Sequence, residues 1–268
     1  MKKENLIQVG RLWLEGVVLF ILRLVHLRTG FDPETGLALP SLAGNVLWIG
    51  LLVCLGVEAV LCFRRPGDSK RSYACCFHTL EGPALGALIM GSFLLIAGGA
   101  LLLIPALPPR GTAEVTAAAA GALGIAGGAG LLLLARELRG SDAPTVFPLL
   151  AAMFFSVLFL LAVYFPEESN PVLGRYYLPV LGAAMAAYFL YQLSGLIRGE
   201  GCLRWFGLVG NFSVVACSAS AADCLSRPGR LLVYLGFAVI ATAFLLLLRK
   251  DPLPEPEKPD EETKSGRG

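Results

Sequence analysis

The chain has 268 residues, 56% of them hydrophobic and only 16% charged, with a net charge of +2 and a mean hydropathy of +0.69. An average soluble domain carries about a quarter charged residues, so this chain has too few to coat a water-soluble globule. The composition argues against a nucleic-acid binder and a disordered chain. It points to an all-α, polytopic transmembrane bundle whose first partner is the lipid bilayer.

A helix crossing the hydrocarbon core needs about 20 apolar residues. The first candidate, Leu6–Leu27, is interrupted by Arg11, Glu15, Arg23 and His26. At 100° per residue these four and Gln8 fall in one arc of about 120°. Such a helix either spans with its polar stripe turned into the bundle or lies in the interface. Seven further spans follow: Ser41–Phe63, Ala84–Ile104, Val115–Leu134, Thr145–Tyr164, Leu178–Ile197, Leu203–Ala222 and Leu231–Leu248. Turn residues such as Arg64-Arg65-Pro66-Gly67 and Ser226-Arg227-Pro228-Gly229 separate them. The six lysines, Lys2, Lys3, Lys70, Lys250, Lys258 and Lys264, all fall on one face if the first helix spans. The positive-inside rule makes that face cytoplasmic. The expectation is eight spans in a cytoplasmic membrane with both termini cytoplasmic. Residues 1–250 form the membrane domain, and the Pro-, Glu- and Lys-rich stretch 251–268 reads as a disordered cytoplasmic tail.

The loop Phe31-Asp32-Pro33-Glu34-Thr35-Gly36, following an arginine-containing first helix, resembles loops in uncharacterised bacterial multi-pass membrane proteins. That resemblance implies membrane placement and no activity. An offset of 134 residues sets Phe31 on Phe165, Glu34 on Glu168 and Leu42–Phe63 on Tyr176–Ile197. Two four-helix halves, 1–136 and 144–250, are one reading of this match. Chance similarity between apolar helices is the other. In the duplicated arrangement Asp32, Glu34, Glu167 and Glu168 share an outer, electronegative mouth that concentrates cations.

Catalytic signatures are missing. His26 and His78 form no H-E-x-x-H pattern, and the sequence holds no P-loop and no G-x-S-x-G elbow. Seven cysteines contain no C-x-x-C, and several fall on the reducing face, so neither a metal nor a disulfide framework is expected. No cofactor is expected either.

The functional leads are polar residues at membrane depth, where ionisable groups are costly. They are Arg11, Glu15, Glu58, Gln192 and Asn211. Glu58 is placed to relay protons or bind a cation, or to snorkel towards Arg64 and Arg65. Glu15 lies four residues from Arg11, as a neutralising pair on one helix face. Ser213, Cys217, Ser220 and Cys224 share a face, as do Gly124 and Gly128, and small residues of this kind favour close helix packing. The leading reading is a non-enzymatic membrane component, a sensor, assembly partner or scaffold with other membrane proteins as partners. The alternative is a small-solute or ion transporter.

Overall fold

The computed structural model describes residues 3–32, 34, 37–64, 73–78, 80, 82–107, 111–140, 144–167, 172 and 176–249. Among them run nine α-helices: α1 (Lys3–Thr29), α2 (Leu42–Phe63), α3 (Tyr73–Cys76), α4 (Gly82–Leu103), α5 (Thr112–Gly140), α6 (Phe147–Tyr164), α7 (Tyr177–Ile197), α8 (Leu203–Ser220) and α9 (Pro228–Leu247). All but α3 are long and apolar enough to cross a membrane. The protein is an all-α bundle of eight membrane-length helices. Lys2, Lys70, Lys250, Lys258, Lys264, Glu168 and the stretch 251–268 lie outside the described residues.

The first helix runs the full length of the bundle. Asn5, near its start, donates to the Leu246 and Leu248 carbonyls at the end of α9, at 3.1 and 2.8 Å. His26, near its end, contacts the Ser41 hydroxyl at 3.0 Å. Ser41 also accepts from the Gly44 N–H at 3.1 Å as the N-cap of α2. One serine therefore both caps α2 and ties it to α1.

The antiparallel register of α1 and α2 follows steps of about one helical turn. Arg11 faces Glu58, Glu15 lies beside Cys54, Leu19 faces Gly50 and His26 faces Gly44. Against α8 the first helix is parallel, with Gln8 meeting Asn211, Gly16 meeting Ser218 and Arg23 meeting Asp223.

Helix contacts elsewhere depend on residues with little or no side chain. An ideal Cβ on Gly91 would stand 3.1 Å from the Gly236 carbonyl, and one on Gly98 would stand 3.0 Å from that of Gly229. These pairs lie one heptad apart on antiparallel helices and let the backbones of α4 and α9 meet. The α4–α5 seam uses Gly99 against Gly121, and Gly128 against the Ser92 carbonyl. In lipid, such close approach supplies dispersion that hydrophobicity cannot. The Ser213–Cys224 stripe meets α7: Ser220 donates to the Leu178 carbonyl at 2.8 Å, and the Cys217 thiol approaches the Gly182 carbonyl at 3.4 Å.

Two features depart from the hydropathy reading. Helix α5 continues to Gly140 instead of stopping near Leu134. Its last turns carry a buried Leu138, while Glu137 accepts from the Thr145 N–H at 2.9 Å and so pins the following turn. The second is α3, a single helical turn in the loop between α2 and α4. Its neighbour Phe77 pairs with Leu248, and its side chain stands edge-on to Phe206 at 5.4 Å.

The bundle is built around α8. Every residue from Phe206 to Ala222 is buried, although this is the least apolar of the eight spans. Helices α1, α2, α7 and α9 pack around it. Helix α2, among the most apolar, sits at the edge and exposes Ile49, Leu52, Val53 and Val60. In the two halves of the 134-residue match, α7 packs on α6 and on the following α8, whereas α2 packs on α1 and on α8 of the other half.

Candidate functional site

Polar residues at depth gather into two clusters, both anchored on α1. The first joins α1, α2 and α8 near the Asn5 end. Glu58 is fully buried, five residues before the end of α2, which is about 8 Å along the helix. Its carboxylate accepts from the Arg11 guanidinium on one oxygen and from the Asn211 amide, at 2.6 Å, on the other. The Asn211 carbonyl oxygen accepts in turn from Gln8 at 3.0 Å. Glu58 is thus engaged by Arg11 and Asn211 within the bundle; Arg65, one of the two arginines towards which it could snorkel, lies outside the described residues. Glu15 stands 3.6 Å from Arg11 Nε, so the tighter partner of Arg11 is on the next helix and not one turn along its own.

The second cluster lies near the Thr29 end. Arg23 is fully buried and the largest side chain so enclosed. Its Nε donates to both Asp223 oxygens, at 3.1 and 3.0 Å, and its terminal nitrogen donates to Oδ1 at 2.6 Å. This is a fork-to-fork pair, the geometry in which guanidinium and carboxylate match best. The Tyr177 ring covers the guanidinium carbon at 5.2 Å and stacks on Trp48 at 4.3 Å. His26 contacts Phe31 edge-on at 5.2 Å. The Tyr177 ring, itself stacked on Trp48, thus covers the guanidinium of the ion pair.

The sequence reading pairs Arg11 with Glu15 and names Glu58 and Asn211 separately, and the fold brings the four together. Gln192 lies half-buried on α7, which is not one of the three helices that build this group. Asp32 and Glu34 lie in the α1–α2 turn, where the Asp32 side chain accepts from the Glu34 N–H at 3.2 Å. The Glu167 side chain and all of Glu168 lie outside the described residues, as does the acidic mouth they would complete. Asp223 escapes sequence reasoning, though a signal existed: it is the only acid between Glu200 and Asp251. An unmatched acid at a span end calls for a cation, and Arg23 occupies the corresponding level of α1.

Among the described residues no group of three His, Cys, Asp or Glu side chains is placed to hold a metal ion. What the clusters supply is cross-linking of helices by charge-assisted hydrogen bonds, one at each end of α1. Comparison with family models, curated proteins and solved structures returns no match.

Proposed function

We propose that this is a non-enzymatic component of a cytoplasmic membrane, acting as an assembly partner or scaffold for other membrane proteins. In this reading the Asn5 end of the bundle faces the cytoplasm. One observation carries it: the least apolar span is the most enclosed, and Asn211, Ser220 and Asp223 on and just beyond it tie helices together. Asn211 bonds Glu58 and Gln8, Ser220 bonds the α7 backbone, and Asp223 bonds Arg23. A transport path would instead line a water-filled cavity with such groups. The edge helices α1 and α2 meanwhile present apolar flanks suited to lateral contact in the bilayer.

The test is reconstitution of the full chain into liposomes. Proton and monovalent-cation fluxes under an imposed gradient are expected to equal those of protein-free vesicles. A flux above that level, removed by Glu58→Gln, overturns the reading in favour of transport.

A further inference from the structure

The enclosed helix α8 comes fully to the surface at one residue, Trp205, which is 46% exposed. On a helix of 3.6 residues per turn, Trp205, Leu208 and Phe212 fall within an arc of about 60°. That arc lies between Asn211, which faces α2, and Cys217 and Ser220, which face α7. Exposure falls along it, to 8% at Leu208 and 5% at Phe212. Nearer the Thr29 end α2 and α7 meet over α8, where Trp48 stacks on Tyr177. The two helices therefore frame a gap that is open at the Asn5 end and shut at the other.

The walls of the gap are apolar with one polar group. On α2, Phe63 stands edge-on to Trp205 at 5.7 Å, and Leu55, two turns deeper, stays 37% exposed. On α7, Tyr188 and Gln192 lie within about 60° of Tyr177, the flank that meets α2. Tyr188 is exposed. Gln192, about 8 Å from the end of α7, makes no hydrogen bond through its amide among the described residues. At the open end each framing helix carries an arginine: exposed Arg64 after α2, exposed Arg198 after α7, and half-buried Arg204 in the first turn of α8. Glu200, in the α7–α8 turn, offsets one of these charges, and the mouth stays basic.

We propose that this gap holds an anionic phospholipid, with its phosphate at Arg64, Arg198 and Arg204 and one acyl chain between α2 and α7. Guanidinium groups meet phosphate by charge-assisted, often bidentate hydrogen bonds, and basic recesses between transmembrane helices recognise anionic headgroups in this way. The chain covers Trp205 and Leu55, and a glycerol ester carbonyl at the depth of Gln192 accepts from its amide. A zwitterionic lipid fills the same space but brings a cation to a basic mouth. The inference goes beyond the assembly reading and holds whichever side the Asn5 end faces.

The test is quenching of Trp205 by brominated lipids in vesicles that carry the full chain and the same lipid mixture in both leaflets. The difference between the parent and Trp205→Phe isolates the Trp205 signal from the other two tryptophans. Brominated phosphatidylglycerol is expected to occupy the site about tenfold more tightly than brominated phosphatidylcholine, the scale of one to two basic residues at an anionic surface. Arg64→Gln combined with Arg198→Gln should bring that ratio close to one. Arg136→Gln combined with Arg139→Gln should leave it near tenfold, because these exposed arginines end α5, which packs between α4 and α6. All four side chains are exposed, so helix content and thermal midpoint should match the parent in both variants. Equal quenching by the two lipids, or a preference that survives loss of Arg64 and Arg198, overturns the site. A preference removed equally by the α5 pair also overturns it, as general attraction to a basic surface. Ion flux through the reconstituted protein overturns the assembly role and leaves the lipid ratio untouched, so the two failures are told apart.

Discussion

Residue by residue, the strongest constraint is the Arg23–Asp223 pair. Both groups are withdrawn from solvent, so removing the carboxylate strips the buried guanidinium of its counter-charge. Asp223→Asn is expected to destabilise the bundle by on the order of 3–5 kcal/mol, read as a lowered thermal midpoint in detergent. Replacing both residues by leucine should recover most of the loss, because neither orphan then remains. A double variant as unstable as the single would show that the pair is not the relevant unit. The same logic ranks two residues of the other cluster. Arg11→Leu should cost more than Glu15→Leu, since Arg11 guards the fully buried Glu58. Tyr73 supplies a pH test on the loop outside the spans. Burial pushes its phenol well above its usual range, and its hydroxyl has no hydrogen-bond partner. The folded protein therefore holds the proton where the unfolded chain releases it. That contribution is complete below about pH 10 and is lost as pH rises beyond. Tyr73→Phe should flatten the alkaline decline in stability and leave neutral stability unchanged or slightly raised, because no bond is lost.

At the level of elements, span positions are legible because apolar length is a one-dimensional property. Hydropathy places all eight within a few residues. Partner choice is less legible, because it depends on which helices become neighbours. Gln8, Arg11 and Glu15 share a visible face on α1, but nothing local in the sequence says that α2 and α8 supply Glu58 and Asn211. The short α3 turn has no hydropathy signal of its own; it forms because Phe77 finds Phe206, Phe244 and the end of α9. Arg249 reinforces that contact by donating to the Phe77 carbonyl at 2.8 Å. Glycines, too, are visible as a pattern but silent about their partners. The structure gives them different weights. Gly98→Leu places a branched side chain against the α9 backbone and Val233, and overpacking of this kind costs roughly 1–3 kcal/mol or more. Gly86→Leu on the same helix meets open space and should leave the thermal midpoint within error of the parent. Equal effects from the two would refute the proposed α4–α9 seam.

For the whole molecule, an even number of spans puts both ends of the membrane domain on one side, and the Asn5 contacts with Leu246 and Leu248 agree. Which side this is depends on the distribution of basic residues. The positive-inside rule acts on lysines and arginines in short loops near the span ends, and Arg23, although on the opposite half, is neutralised within the bundle by Asp223. That removes one of the charges that argue against placing the Asn5 end in the cytoplasm. Native cysteines make poor reporters of the orientation, because Cys75 and Cys76 are buried in the α3 turn. Introduced cysteines serve better at exposed positions on the two faces. Glu200, between α7 and α8, lies at the Asn5 end; Ser226, between α8 and α9, lies at the Thr29 end, and both are exposed. In intact cells a membrane-impermeant maleimide is expected to label Ser226→Cys and to spare Glu200→Cys until the membrane is permeabilised. The reverse pattern would turn the molecule over, placing the α3 turn outside and removing the positive-inside argument for its orientation. Labelling of both sites in intact cells would mean that α8 does not cross the membrane, since α8 alone separates the two positions.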